Sequence, residues 1–185
     1  MNKFKSGVLL LSSLLMFSSC LNDDDDNDSK KSEWRELNEE YVAKCENEME
    51  NGSPVYSKFS PDVVPGNFIL MRWHKGGQNP AAVTPVYNST VNVIYDLRLA
   101  DGTKLGNSFS LTANGDSIYQ TMPSSNIPGF GLALTRMSEG DSCTVVIPSA
   151  MAYGNLPNGK IPAYSALVYG IKLKKIVAYE SQPSK

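Results

Sequence analysis

The chain has 185 residues, 41% of them hydrophobic, 19% charged and 9% aromatic, with a net charge of −2. This length and apolar content suit one core-forming domain with appendages and exclude global disorder. Near-neutral charge without a basic cluster argues against nucleic acid, and three Cys with a single His argue against a disulfide framework or a His/Cys zinc site.

Residues 1–19 read as an export signal. Lys3 and Lys5 form a positive start, and residues 7–17 are an apolar, Ser-containing run too short to span a bilayer comfortably. Ser18 and Ser19 are small residues at a cleavage position, and Cys20 follows at once. Phe17-Ser18-Ser19-Cys20 resembles a bacterial lipoprotein signal, although Phe17 stands where Leu is usual. That resemblance implies a diacylglyceryl group on Cys20. An ordinary secretory signal that ends near a Cys is the alternative. Residues 20–32 carry five Asp against two Lys and almost no apolar side chain, so a flexible acidic tether is expected. The Asp run resembles acidic signals that send some outer-membrane lipoproteins to the cell surface. A spacer repelled by anionic headgroups is the competing reading.

Trp34, Leu37, Tyr41, Cys45 and Met49 recur every three or four positions, and Val42 widens the stripe. The spacing predicts an amphipathic helix over 33–52 that packs against the rest of the chain. Ser32 is the expected N-cap, and Asn51-Gly52-Ser53-Pro54 the stop. After residue 60 the period becomes two. Residues 68–73 form a short apolar strand that Gly76-Gly77 ends. Val91, Val93, Tyr95, Leu97 and Leu99 share one face over 91–99, and Asp101-Gly102 is a turn signal. Phe130, Leu134 and Met137 mark a short helix over 130–137, stopped by Gly140. Two more strands follow at 143–147 and 166–176, the second with Leu167, Tyr169, Ile171 and Leu173 inward. The class is α+β with an antiparallel sheet, its domain at 60–178.

Familiar catalytic machinery is missing. His74 is the sole His, between Trp73 and Lys75, and reads as structural or solvent-facing. Cys143 sits among β-formers and Cys45 on the helical stripe, and sequence cannot place the two within bonding reach. No phosphate-cradling Gly loop and no paired acid/base carboxylates stand out, and Asn88-Ser89-Thr90 reads as a turn.

Three segments in order resemble the FK506-binding-protein (FKBP) family of peptidyl-prolyl isomerases. The first is Val91-Asn92-Val93-Ile94-Tyr95 running into Asp101-Gly102-Thr103-Lys104-Leu105. The second is Ile127-Pro128-Gly129-Phe130 through Met137-Ser138-Glu139-Gly140-Asp141. The third is Ala152-Tyr153-Gly154, then Ile161-Pro162 and Ser165-Ala166-Leu167-Val168-Tyr169. Asn38 and Tyr41 in the first helix resemble the N-terminal extension of some lipoprotein members.

The resemblance implies a curved antiparallel sheet wrapping the short helix, with a pocket between them. Phe130 would be the floor, where the family usually has Trp. Tyr95, Leu105 and Tyr169 would be walls, with Ile161 on the flap and Tyr119 a further aromatic wall. The backbone N–H of Ile127 and the hydroxyl of Tyr153 would hold substrate carbonyls. No cofactor is implied. The expected partners are proline-containing polypeptides and, through the lipid, the membrane of the cell envelope. Nucleic acid is not expected, and the chain is read as a monomer.

The sequence departs from the family where an Asp usually follows Leu105: here Gly106 does, then Asn107. Tyr169 replaces the usual Phe, and Gly170-Ile171-Lys172 stands where an acidic residue is typical. An isomerase of exported proteins is therefore weighed against a peptide-binding or chaperone module of the same fold with little turnover.

Overall fold

The computed structural model describes residues 23–62, 64–74, 82–110 and 117–179. The export signal, Cys20 and the Gly76-Gly77 stop lie outside them. Helix α1 (Asp23–Glu46) leads into a small hairpin of β1 (Met49–Glu50) and β2 (Ser53–Pro54). Then come β3 (Ser57–Phe59), β4 (Ile69–Trp73), β5 (Thr90–Leu99), β6 (Lys104–Asn107) and β7 (Tyr119–Thr121). Helix α2 (Pro128–Thr135), β8 (Ser142–Ile147) and β9 (Leu167–Ala178) close the chain. The larger sheet is antiparallel throughout, in the order β3-β4-β8-β9-β5-β6, with β7 also paired to β5.

The two faces of this sheet have different jobs. Val91, Val93 and Leu99 of β5 and Leu167, Tyr169, Ile171 and Leu173 of β9 lie on one face with Phe130, Ala133 and Leu134 of α2. Truncating one of them, as in Leu134→Ala, removes ~2–5 kcal/mol of stability. Leu70, Val146 and Val168 point to the other face, where Cys45 and Tyr56 bury them beside Tyr41 and Val42 of α1. Strand β8 is covered on both sides, which is why its sequence reads as an unbroken apolar run rather than an alternation.

Helix α1 differs from its expected form at both ends. It begins at Asp23, so the stretch read as a flexible tether is helical from that residue on. A docked C-terminal half supports helical turns added ahead of it. The helix ends at Glu46, short of residue 52. Asn51 and Gly52, with φ of 51° and 81°, make a two-residue turn that pairs Met49 with Pro54 in a hairpin instead.

The buried stripe differs as well. Leu37 is 40% exposed, whereas Asn38 is 2% exposed. Where α1 crosses the start of β9, the Ala166 N–H needs an acceptor, and Asn38 Oδ1 takes it at 2.8 Å. Asn38 Nδ2 in turn donates to the Trp34 carbonyl at 2.7 Å. Trp34 Nε1 donates to Ser165 Oγ at 3.1 Å, and the Arg35 guanidinium lies 4.8 Å from the Tyr164 ring centroid. The thiols of Cys45 and Cys143 are both buried and free.

Candidate functional site

The site is built where β5, β9, α2 and the turn after β8 converge. Period-two alternation puts Tyr95 on the α2 side of β5, in the same row as Val93 and Leu97. Leu97 stands opposite Tyr169 on β9. Pro128 occupies the first turn of α2, where its missing N–H costs nothing. It leaves Ile127 extended (φ −56°, ψ 147°) at the helix entrance. The Ile127 N–H precedes the helix and has no acceptor within it. Gly129 and Gly131 let α2 press close. A Cβ at Gly131 would come within 2.5 Å of the Pro123 carbonyl oxygen, and one at Gly129 would strike Ile147.

Four rings meet here. Tyr95 stands edge-on to Tyr119, Phe130 and Tyr169 at centroid distances of 5.6, 5.9 and 5.8 Å. Phe130 and Tyr169 are 4.9 Å apart with a 63° interplanar angle. Such edge-to-face pairs add ~0.5–1.5 kcal/mol each beyond area burial and hold the rings in register. Together with Ser125, Asn126, Ile127 and Tyr153 they line a cavity of about 350 Å³. That volume falls at the low end of the ~300–1,000 Å³ seen for small-ligand sites.

Depth is graded. Phe130 is 2% and Tyr169 8% exposed, while Tyr95, Tyr119, Ile127 and Tyr153 are half-buried at the mouth. Burial, with the nearby Tyr153, Tyr95 and Tyr119 adding to it, pushes the Tyr169 hydroxyl well above its ordinary titration range. Tyr95 is raised in the same way, mainly by burial. Both phenols are therefore protonated at neutral pH and present O–H donors to the cavity.

Six of the residues singled out in sequence line this cavity: Tyr95, Tyr119, Ile127, Phe130, Tyr153 and Tyr169. Leu105 and Ile161 pack half-buried against the same core but do not line it. Leu105 is the extra residue of a β-bulge, because Leu97 pairs with Gly106 and Arg98 with Lys104. Ile161 sits in a tight turn bridged to Asn158. Asn107 faces away, paired with Asp96, and its Oδ1 accepts the Ser110 N–H at 2.9 Å. It does not stand in for the missing Asp.

Ser125 and Asn126 are lining residues that sequence reasoning missed. Asn126 Nδ2 donates to Thr121 Oγ1 at 2.9 Å and to the Met122 carbonyl at 2.7 Å. Its Oδ1 lies 3.5 Å from the Tyr119 hydroxyl. The side chain thus ties β7 to the entrance of α2. A polar residue immediately before Ile127-Pro128 was the available clue.

His74 lies outside this cavity. Its Nδ1 is 3.0 Å from Ser142 Oγ and its Nε2 3.0 Å from Thr144 Oγ1, a bridge between two hydroxyls. Among the described residues no three His, Cys, Asp or Glu side chains gather as a metal site.

Comparison with known proteins agrees with this geometry. Residues 82–174 match the FKBP-type peptidyl-prolyl cis-trans isomerase family. The chain is 39% identical over 103 residues to a probable FKBP-type peptidyl-prolyl cis-trans isomerase FkpA of Neisseria meningitidis, a match covering 55% of this chain and 36% of that protein. It is 37% identical over 87 residues to FK506-binding protein 2 of Debaryomyces hansenii, covering 46% of this chain and 62% of the relative. The matches thus span about a third and three-fifths of these relatives' lengths. A crystal structure of a peptidyl-prolyl isomerase from Pseudomonas syringae shares the fold with a TM-score of 0.61 at 24% identity, covering 78% of this chain and 94% of the other. FkpA from Escherichia coli does so with 0.65 at 21%, covering 82% and 63%. With the family match reaching across half the chain and the fold agreeing, the protein belongs to the FKBP-type peptidyl-prolyl cis-trans isomerase family.

Proposed function

We propose that this chain accelerates cis-trans isomerisation of X-Pro bonds in exported polypeptides. The observation that carries the reading is the aromatic cavity itself, with the Ile127 N–H and the Tyr153 side chain at its mouth.

The chemistry needs little more. An X-Pro amide resists rotation by ~18–20 kcal/mol because resonance keeps it planar. Planar amides are charge-separated, so a cavity from which the bound ring displaces water favours the twisted form relative to the planar one. In this reading the Ile127 N–H and Tyr153 O–H hold flanking carbonyls in a turn. Catalysis is then tighter binding of the twisted amide. A thousand-fold acceleration asks for only ~4 kcal/mol. The chain's own groups do all of this, with no nucleophile and no proton transfer to the amide.

A second reading is a peptide-binding module of the same fold with little turnover. Gly106 favours it: a Cβ there would meet nothing within 4 Å, so among the described residues no side chain takes the place of the usual Asp at this position. Magnetisation-exchange NMR on an Ala-Pro peptide with the full chain separates the two. Catalysed exchange supports the isomerase. Binding without exchange supports the module.

The N-terminal sequence supports lipid anchoring at Cys20 in the bacterial envelope, on the outer membrane. Among the described residues no helix is long and apolar enough to cross a membrane. Detergent partitioning of the exported protein should be lost in Cys20→Ser, and partitioning that persists would refute the anchor.

A further inference from the structure

Tyr169 is, after Phe130, the most buried side chain lining the cavity, at 8% exposure. Its hydroxyl makes no hydrogen bond to a described residue. The groups nearest it electrically are the phenols of Tyr153, Tyr95 and Tyr119 across the same space. A protonated O–H therefore lines the cavity with no hydrogen bond to a described residue, where a Phe would fill the same volume without it.

Mouth and floor receive different parts of a bound peptide. The donors that suit backbone carbonyls, the Ile127 N–H and the Tyr153 hydroxyl, belong to half-buried residues at the mouth. What descends to Phe130 and Tyr169 is the ring of the residue in the cavity. An unsubstituted pyrrolidine presents only methylenes there. It displaces water from this hydroxyl and offers nothing in exchange, which opposes binding. A ring with a hydrogen-bonding group at its far edge restores the lost partner.

We propose that Tyr169 makes this pocket selective for a pyrrolidine ring bearing a hydroxyl, as in 4-hydroxyproline, over unsubstituted proline. The inference rests on the proline-binding reading of the cavity and adds the class of ring it prefers. A site whose polar floor group must be matched discriminates by leaving that group unpaired with the wrong ligand, the strongest form of small-molecule selectivity.

The test is a ligand ratio on one protein, so a general loss of folded fraction cancels. Full-length wild type and Tyr169→Phe are titrated by NMR with three peptides that differ only in the ring: proline, 4R-hydroxyproline and 4R-fluoroproline. The fluorinated ring shares the pucker of the hydroxylated one but has no donor and offers the Tyr169 O–H only a poor acceptor. Wild type is expected to bind the hydroxyproline peptide about five-fold more tightly than the proline peptide. Tyr169→Phe should abolish or reverse that ratio, with fluoroproline following proline in both proteins. A hydroxyproline preference that is absent from wild type, that survives in Tyr169→Phe, or that fluoroproline reproduces would overturn the inference and leave the proline site standing. Failure of all three peptides to bind wild type would overturn both.

Discussion

Asp96 stands directly opposite Gly170 across the β5–β9 ladder, and its carboxylate fills the space that a side chain at 170 would occupy. The family's usual acidic residue near this position of the last strand is missing, and an acidic side chain reaches the same place from the strand beside it. The pair lies on the sheet face opposite Tyr95 and Tyr169, so it supports the strand junction from behind rather than lining the cavity.

This relationship predicts a coupled effect. Gly170→Ala puts a methyl group against the Asp96 carboxylate and should give no gain in stability. In an Asp96→Ala background the same change should stabilise by ~0.5–1 kcal/mol, the ordinary advantage of Ala over Gly inside a strand. Urea melts of the four proteins form a double-mutant cycle, and additive effects would show that the two residues do not compete for space.

Phe130 and Tyr153 should separate stability from function. Phe130 is 2% exposed and packed against the sheet, so Phe130→Ala should cost ~3–5 kcal/mol and abolish peptide binding. Tyr153 is half-buried, and Tyr153→Phe removes a single oxygen. It should melt within ~1 kcal/mol of wild type while exchange on an Ala-Pro peptide slows about five- to tenfold. Equal exchange rates would remove the Tyr153 hydroxyl from the mechanism.

Gly106→Asp tests the empty edge. The position is exposed with open space around it, so stability should stay within ~0.5 kcal/mol of wild type. Gly106 pairs with Leu97, in the same row of β5 as Tyr95, so the new carboxylate is directed toward the cavity side. Exchange is expected to rise several-fold. A rise from near zero favours the binding-module reading of the natural chain, and no rise would show that position 106 does not limit exchange.

Asn38→Leu should loosen α1 without touching the cavity. It leaves the buried Ala166 N–H without its acceptor, which costs ~1–3 kcal/mol. Hydrogen exchange should show the Ala166 amide losing protection first. Protection unchanged from wild type would mean that another group takes over the bond.

Alkaline pH should destabilise the fold first through its buried thiols, before the raised tyrosines add to the effect. Burial, with Asp141 adding to it, pushes the Cys143 thiol from about 9 to about 12. Cys45 is raised as well, again chiefly by burial. Below pH 9 both states keep these protons, and the stability the buried thiols contribute is fully present. Above it the unfolded chain releases protons that the folded one retains, so stability falls as pH rises toward 12. Urea midpoints between pH 8 and 10 should decline in wild type and decline less in Cys143→Ala, whose midpoint starts lower.

Parts of this protein were readable without coordinates because they depend on local chemistry. The alternation through Tyr95 and through Tyr169 places β5 and β9, since a strand with one face in the core must repeat every two residues. Asp101-Gly102 closes the β5–β6 hairpin because Gly102, at φ 89°, takes a backbone conformation most residues avoid. Ile127-Pro128 announces the start of α2 through the proline's own geometry.

Other features answer to partners far away in the chain. Nothing near Asn38 says that it, and not Leu37, faces inward; the amide that requires it is Ala166, 128 residues later. Leu105 looks like a wall residue, but it is the unpaired residue of a bulge opposite Leu97 and packs against the core outside the cavity lining. Asn126 becomes a tie only once β7 lies beside it. Local sequence specifies which surfaces are apolar and where the backbone turns. Which groups then share one enclosed space follows from strand register and helix docking, and burial in that space is what makes Tyr169 a polar floor.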